Sequence, residues 1–276
     1  MEKLDARIQR AMSAGRDEIR ALLNDPSDRV ALALLSNTGI TEDDLLVLAR
    51  RRDLPGDVLG GIAGRKFTAD GYKVKVALVN NPRTPRRTAL GMLRDMRLSE
   101  MAFVTRNKQL PTELRQAAEG ILKEKLPTLP VGIRVGLARQ VSEDVVKAML
   151  LDGNPLLIKA CFENPRMKEA VVIWAVNHKN IPAGVIEHIS NDAKWSSNYS
   201  VRFAILRNPH TPVDRSMEFA RGLKSMDQRF LYNDPSVPAV VKVELEVELE
   251  RKGEPLSPPK ESGRVIGIVD IEEIEG

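Results

Sequence analysis

Apolar side chains recur along most of the chain every three or four residues, the spacing of a stripe along one helix face. Leu45, Leu46, Leu48 and Ala49 form one such stripe, Leu90, Leu93 and Met96 another, and Leu114, Ala117, Ala118, Ile121 and Leu122 a third. The breaks between stripes fall on Pro, Gly, Asn and Thr, which end one helix or start the next. The pattern predicts helices at 2–13, 16–23, 28–36, 42–52, 56–64, 72–80, 85–96, 99–106, 112–125, 131–139, 143–151, 155–163, 167–177, 183–190, 199–207, 212–223, 225–232 and 238–251. One stretch departs from it. In VVKVELEVELE, Val240 to Glu250, apolar and charged residues alternate with period two, which alone predicts a strand. Its glutamates and its match to the helix beginning at Pro111 favour helix, with an added strand as the alternative.

The helices are organised by an internal match. GYKVKVALVNNPRTP (Gly71 to Pro85) aligns without a gap on NYSVRFAILRNPHTP (Asn198 to Pro212), an offset of 127. At the same offset Arg94 meets Arg221, Phe103 meets Phe230 and Pro111 meets Pro238. Weaker copies are RVALALLSNTGIT, LIKACFENPRMK and RVGLARQVSED, and Asn37 to Asn81 and Asn164 to Asn208 are both spaced by 44, in the range of two-helix repeats.

The N-P-x-T-P stretches predict helix-to-helix corners. Proline disfavours the α region for the residue before it, so the preceding helix stops by Asn81 or Asn208. Thr84 and Thr211 are then expected as N-caps, with Pro85 and Pro212 at the first helical position, where a missing N–H costs nothing. Thr41 with Asp44 reads as a capping arrangement and Ser142 as another cap, while Pro111, Pro182 and Pro238 mark further starts. Asn81, Asn164 and Asn208 are expected to satisfy the unpaired carbonyls of helix ends, or to line one edge of the array as an amide ladder.

With VALVNNPRTP and FAILRNPHTP as its units, the chain resembles bacterial HEAT-like and leucine-rich-repeat-variant helical arrays over about residues 27 to 251. The resemblance implies an all-α fold, an α-solenoid of HEAT-like helical hairpins over 1–252, presenting a continuous surface to a partner; it brings no catalytic residues. Some leucine-rich-repeat-variant proteins add a cysteine-rich iron–sulfur segment, but Cys161 stands alone here and no cluster is carried over. Residues 253–276 read as a linker, GEPLSPPKESG, and an acidic β-prone tail, RVIGIVDIEEIEG, either a disordered end or a docking strand.

Composition sharpens this. With aromatics at only 4%, the core must be built from Leu, Val, Ile, Ala and Met, a mix that suits helices better than a β-sandwich. A single Cys161, in the apolar run LLIKACF, is expected to be a small buried thiol and excludes an internal disulfide framework. The charged N-terminus and the lack of any run of about twenty apolar residues point to a protein of the reducing cytoplasm. Charge is uneven: Ile62 to Lys108 holds eleven Lys/Arg against three Asp/Glu, whereas Glu244 to Gly276 holds ten acids against four bases.

That basic stretch is the main functional signal. Arg83, Arg86, Arg87, Arg94 and Arg97, with Arg106 and Lys108, are expected to merge with Lys73 and Lys75 into a partner-binding patch. Gly56, Gly60, Gly61 and Gly64 fit no phosphate loop and read as close helix packing. His178, His188 and His210 share no metal-ligand spacing, and His210 reads as an exposed corner residue. Trp174 reads as core and Trp195 as a candidate contact. The expectation is a non-catalytic scaffold mediating protein–protein interaction, without cofactor or metal, for an unknown protein, an acidic one being the candidate. The alternative is a nucleic-acid binder of the DNA-repair type using the same basic face.

Overall fold

The computed structural model of the protein describes residues 3–68, 71–254 and 256. Among these residues it is all-α, with no strand. The first nine helices are α1 (Leu4–Ser13), α2 (Arg16–Leu22), α3 (Asp28–Leu35), α4 (Glu42–Arg50), α5 (Gly56–Ala63), α6 (Tyr72–Val79), α7 (Arg86–Leu93), α8 (Leu98–Arg106) and α9 (Thr112–Lys125). After a 3-10 turn at Leu126–Thr128 follow α10 (Val131–Ala138), α11 (Glu143–Leu150), α12 (Pro155–Phe162), α13 (Glu169–Asn177) and α14 (Ala183–Asn191). The last are α15 (Ala193–Ser196), α16 (Tyr199–Ile205), α17 (Val213–Arg221), α18 (Ser225–Asn233) and α19 (Ala239–Arg251). The chain folds as two compact units, Met1–Lys168 and Glu169–Gly276.

The match at offset 127 extends far beyond the segments in which the sequence displays it. Each of α1 to α9 begins 127 residues before a helix of the second half: Leu4 and Val131, Arg16 and Glu143, Tyr72 and Tyr199, Thr112 and Ala239. Inside each unit, helices pack against the second helix along the chain: α1 on α3, α3 on α5, α4 on α6, α7 on α9, α10 on α12 and α17 on α19. Leu, Val, Ile, Ala and Met fill nearly all of the contacts between them.

Four buried asparagines tie these pairs together. Asn37 donates its amide to the carbonyls of Ala11 (2.9 Å) and Ala14 (3.1 Å) at the end of α1. Asn81 does the same to Ala49 (2.9 Å) and Arg51 (2.8 Å), and Asn164 to Ala138 (2.6 Å) and Val141 (3.1 Å). Asn208 reaches one carbonyl, Val176, at 2.7 Å. In each case the side-chain oxygen accepts the N–H two residues on, from Gly39, Arg83, Arg166 or His210. Helix C-termini leave carbonyls without intrahelical partners, and a primary amide supplies two donors to them while closing its own turn. The expected carbonyl-satisfying role is therefore what the structure shows.

The corner threonines act differently from expectation. Thr84 and Thr211 donate their hydroxyls backward, to the carbonyls of Leu78 and Ile205, both at 2.6 Å. Pro85 and Pro212 are themselves the N-caps, in extended conformation, and α7 and α17 start one residue later. From a position before the cap, a threonine oxygen is too far back to receive the second or third helical N–H, so it closes the preceding helix instead. Pro55, Pro111, Pro130, Pro182 and Pro238 take the same N-cap place. Ser142 does not cap with its side chain either, since its hydroxyl donates to Glu119 at 2.7 Å. Thr41 and Asp44 form the expected capping box.

The alternating VELEVELE stretch is helical because Val241, Leu245 and Leu249, four residues apart, form a buried stripe along one face of α19. Glu244 and Glu248 point inward and are buried, while Val240, Val243 and Val247 are exposed. Arg221 meets both glutamates (2.7 and 3.7 Å), and Arg251 also pairs with Glu248 (2.6 Å). The helix ends in a Schellman motif: Gly253 has φ of 69°, its N–H bonds to Glu250 and that of Glu254 to Leu249. The expected linker and tail lie outside the described residues, apart from Gly253, Glu254 and Leu256.

Close packing holds at two of the four clustered glycines, whereas a β-carbon on Gly60 or Gly64 would meet only ordinary contacts at 3.6 Å. A β-carbon on Gly61 would sit 2.9 Å from Leu35, and one on Gly56 3.2 Å from the Arg83 carbonyl. The tryptophans exchange their expected places. Trp195 is buried on the short helix α15, which Asp192 caps, and Trp174 is only half-buried, tilted against His178. No apolar stripe announced α15, because four residues are too short to display one.

Candidate functional site

The first unit holds a groove of roughly 1020 Å³ between α6, α8 and the neighbouring corners. Lys73 comes from the start of α6, Arg97 from the cap of α8, Arg106 from its end and Lys108 from the corner that follows. Arg50 and Arg52 enter from the end of α4, and Arg166 from the corner after α12. Glu100 is the acid in this lining. None of these seven cations is in ion-pair contact with a described carboxylate; the corner acid Asp53 is committed to Arg51, at 2.5 Å, which holds its carboxyl below the usual range.

Two aromatic rings complete the wall. The Arg97 guanidinium stands 4.7 Å over the Tyr72 ring and that of Arg106 5.1 Å over Phe103, geometry that orients both cations by cation–π attraction. The Arg97 N–H also donates to the Tyr72 hydroxyl at 2.8 Å. Asn80, at the end of α6, donates to Val76, while its side-chain oxygen is buried without a hydrogen-bond partner.

Of the basic residues singled out from the sequence, the structure brings Lys73, Arg97, Arg106 and Lys108 together here. Arg83, Arg86, Arg87, Arg94 and Lys75 do not line the groove. Arg86 pairs with Glu113, and Arg83 donates to the Asp53 carbonyl. Arg50, Arg52 and Arg166 were missed, because they lie in other charge neighbourhoods of the sequence and only folding collects them. Their one local sign is placement at a helix end or corner.

The second unit holds the counterpart groove, of roughly 770 Å³, at positions offset by 127. Phe230 replaces Phe103 by identity, Arg207 stands at the place of Asn80, Asn233 at that of Arg106, Asp234 at that of Asn107 and Pro235 at that of Lys108. Arg207 lies over Phe203 (4.7 Å) and Phe230 (5.4 Å) and is neutralised by Asp234 at 2.7 Å. Hydrogen bonds from Ser236, then Arg207, pull the Asp234 pKa down to about 2. Met226 and Phe230 leave the rim apolar, at 84% and 58% exposure.

Other candidates resolve as structure. Cys161 is buried, and burial pushes its thiol up to about 12, far from a reactive thiolate. His210 is an exposed corner residue, as expected. Among the described residues, no group of three or more His, Cys, Asp or Glu could hold a metal ion, and no helix is long and apolar enough to cross a membrane. No family model matches the chain, and neither curated proteins nor solved structures yield a significant match.

Proposed function

We propose that the chain is a non-catalytic binding module, an α-solenoid of HEAT-like hairpins, that takes an anionic partner in the α6–α8 groove. The observation that carries this reading is the set of seven cations around one concavity that meet no carboxylate among the described residues. Holding like charges together costs repulsion that a bound anion relieves, and the cation–π pairs keep two of the guanidinia in place before it arrives. Second-neighbour helix packing and the asparagine ties support the solenoid reading: each hairpin covers the apolar side of the one before it. An acidic protein segment or a nucleic acid would supply the negative charge, the first making the chain a protein–protein scaffold.

The test is direct binding of labelled polyglutamate and of an oligonucleotide to the full chain at low salt. Arg97→Glu with Arg106→Glu should abolish retention of whichever ligand binds. Arg86→Glu with Arg87→Glu and Arg94→Glu, outside the groove, should weaken it only by long-range electrostatics. Equal losses from the two variants would remove the groove as the site.

A further inference from the structure

Resting on that reading, we infer that the α6–α8 groove takes single-stranded nucleic acid, with phosphates on its cations and unpaired bases over its guanidinium–aromatic pairs. Charge alone fits an acidic peptide equally well. The two stacks do not. Phe103 is 43% exposed with Arg106 over its ring, and Arg97 lies over Tyr72 in the same wall. Planar guanidinium and aromatic surfaces receive the faces of bases, which carboxylate side chains lack.

A duplex keeps its base faces inside the stack, so it would engage the rim cations and leave the rings unused. The strand is therefore single.

The experiment is fluorescence anisotropy with the full chain and four fluorescein-labelled ligands: single-stranded RNA and DNA of about a dozen nucleotides, the matching duplex, and polyglutamate, across about 50 to 200 mM salt. Single strands should bind tightest, with log K falling against log salt by about 0.7 per phosphate neutralised. Phe103→Leu should weaken single strands about five- to a hundredfold, the range of one lost base stack, and leave polyglutamate unchanged. Arg106→Lys keeps the charge and loses the plane, so it should show the same split at a position where folding is not at stake.

Polyglutamate or duplex binding as tightly as single strands, or both variants leaving the split unmoved, would overturn the assignment while the anionic groove stood. Failure of every polyanion to bind at low salt would remove both.

Discussion

Asn81 and Asn208 occupy the same corner in the two halves of the chain, and the grooves beside them have opposite chemistry. Around the first groove no cation pairs with a described carboxylate, and in the first half the places of Glu244 and Glu248, the partners of Arg221, are held by Ala117 and Ile121. Arg207 has Asp234, and Arg229 has Glu254 at 3.3 Å, where the first half offers Asn107 and Pro127. The same helices, corners and ties therefore carry one groove whose cations pair with no described carboxylate and one whose Arg207 and Arg229 are paired and whose rim is apolar. The difference teaches that the framework is set by buried amides and prolines, while surface chemistry changes on it freely.

The sharpest way to break the comparison is to cut the ties. Asn164→Ala strands two carbonyls and an N–H and should cost about 3 kcal/mol, whereas Asn208→Ala, with one carbonyl, should cost about 2. Urea unfolding of each variant would show it, and equal costs would mean that the amides do not act through those carbonyls. Next in size, Arg221→Ala leaves two buried glutamates without their shared partner and should lower the melting temperature by several degrees. Arg94→Ala, at the equivalent place, should leave it unchanged.

A smaller change transplants the second half's chemistry into the first. Asn107→Asp can still accept the Gln109 N–H, so the corner should stay intact. The added carboxylate should weaken anion binding about fivefold, the scale of one exposed ion pair. Unaltered affinity in a salt titration would separate Asn107 from the binding surface. The least effect concerns pH. Asp234 has a folded pKa held near 2, below its unfolded value, so its contribution is present above about pH 4 and lost as pH falls toward 2. Asp234→Asn should remove that limb of the stability profile, by well under about 1 kcal/mol because solvent screens the pair. Thermal melts between pH 2 and 5 would reveal it.

Much of the fold was legible beforehand. Each predicted helix is present, and the asparagines act at helix ends as their amide chemistry and placement imply, because caps, prolines and the 3.6-residue period act over a few neighbouring positions. The candidate site was legible only in part. A contiguous basic stretch predicted one patch, but helical geometry sends Arg86 and Arg94 one way and Arg97 and Arg106 another. Trp195, a candidate contact in the sequence, is buried on a short helix that gives no periodic signal.

The amino-acid order by itself determined where all but the shortest helix lie, that a corner segment recurs 127 residues on, and which asparagines close the corners. Those outcomes follow from backbone sterics and hydrogen bonding within a turn or two of the chain. Only the tertiary structure decided which charges are neutralised and which collect around a groove. Arg221 finds its carboxylate 23 residues away, and Arg50, Arg97 and Arg166 share one concavity from three distant segments. Coulombic partners are chosen by distance through space, and that distance exists only once the helices have packed.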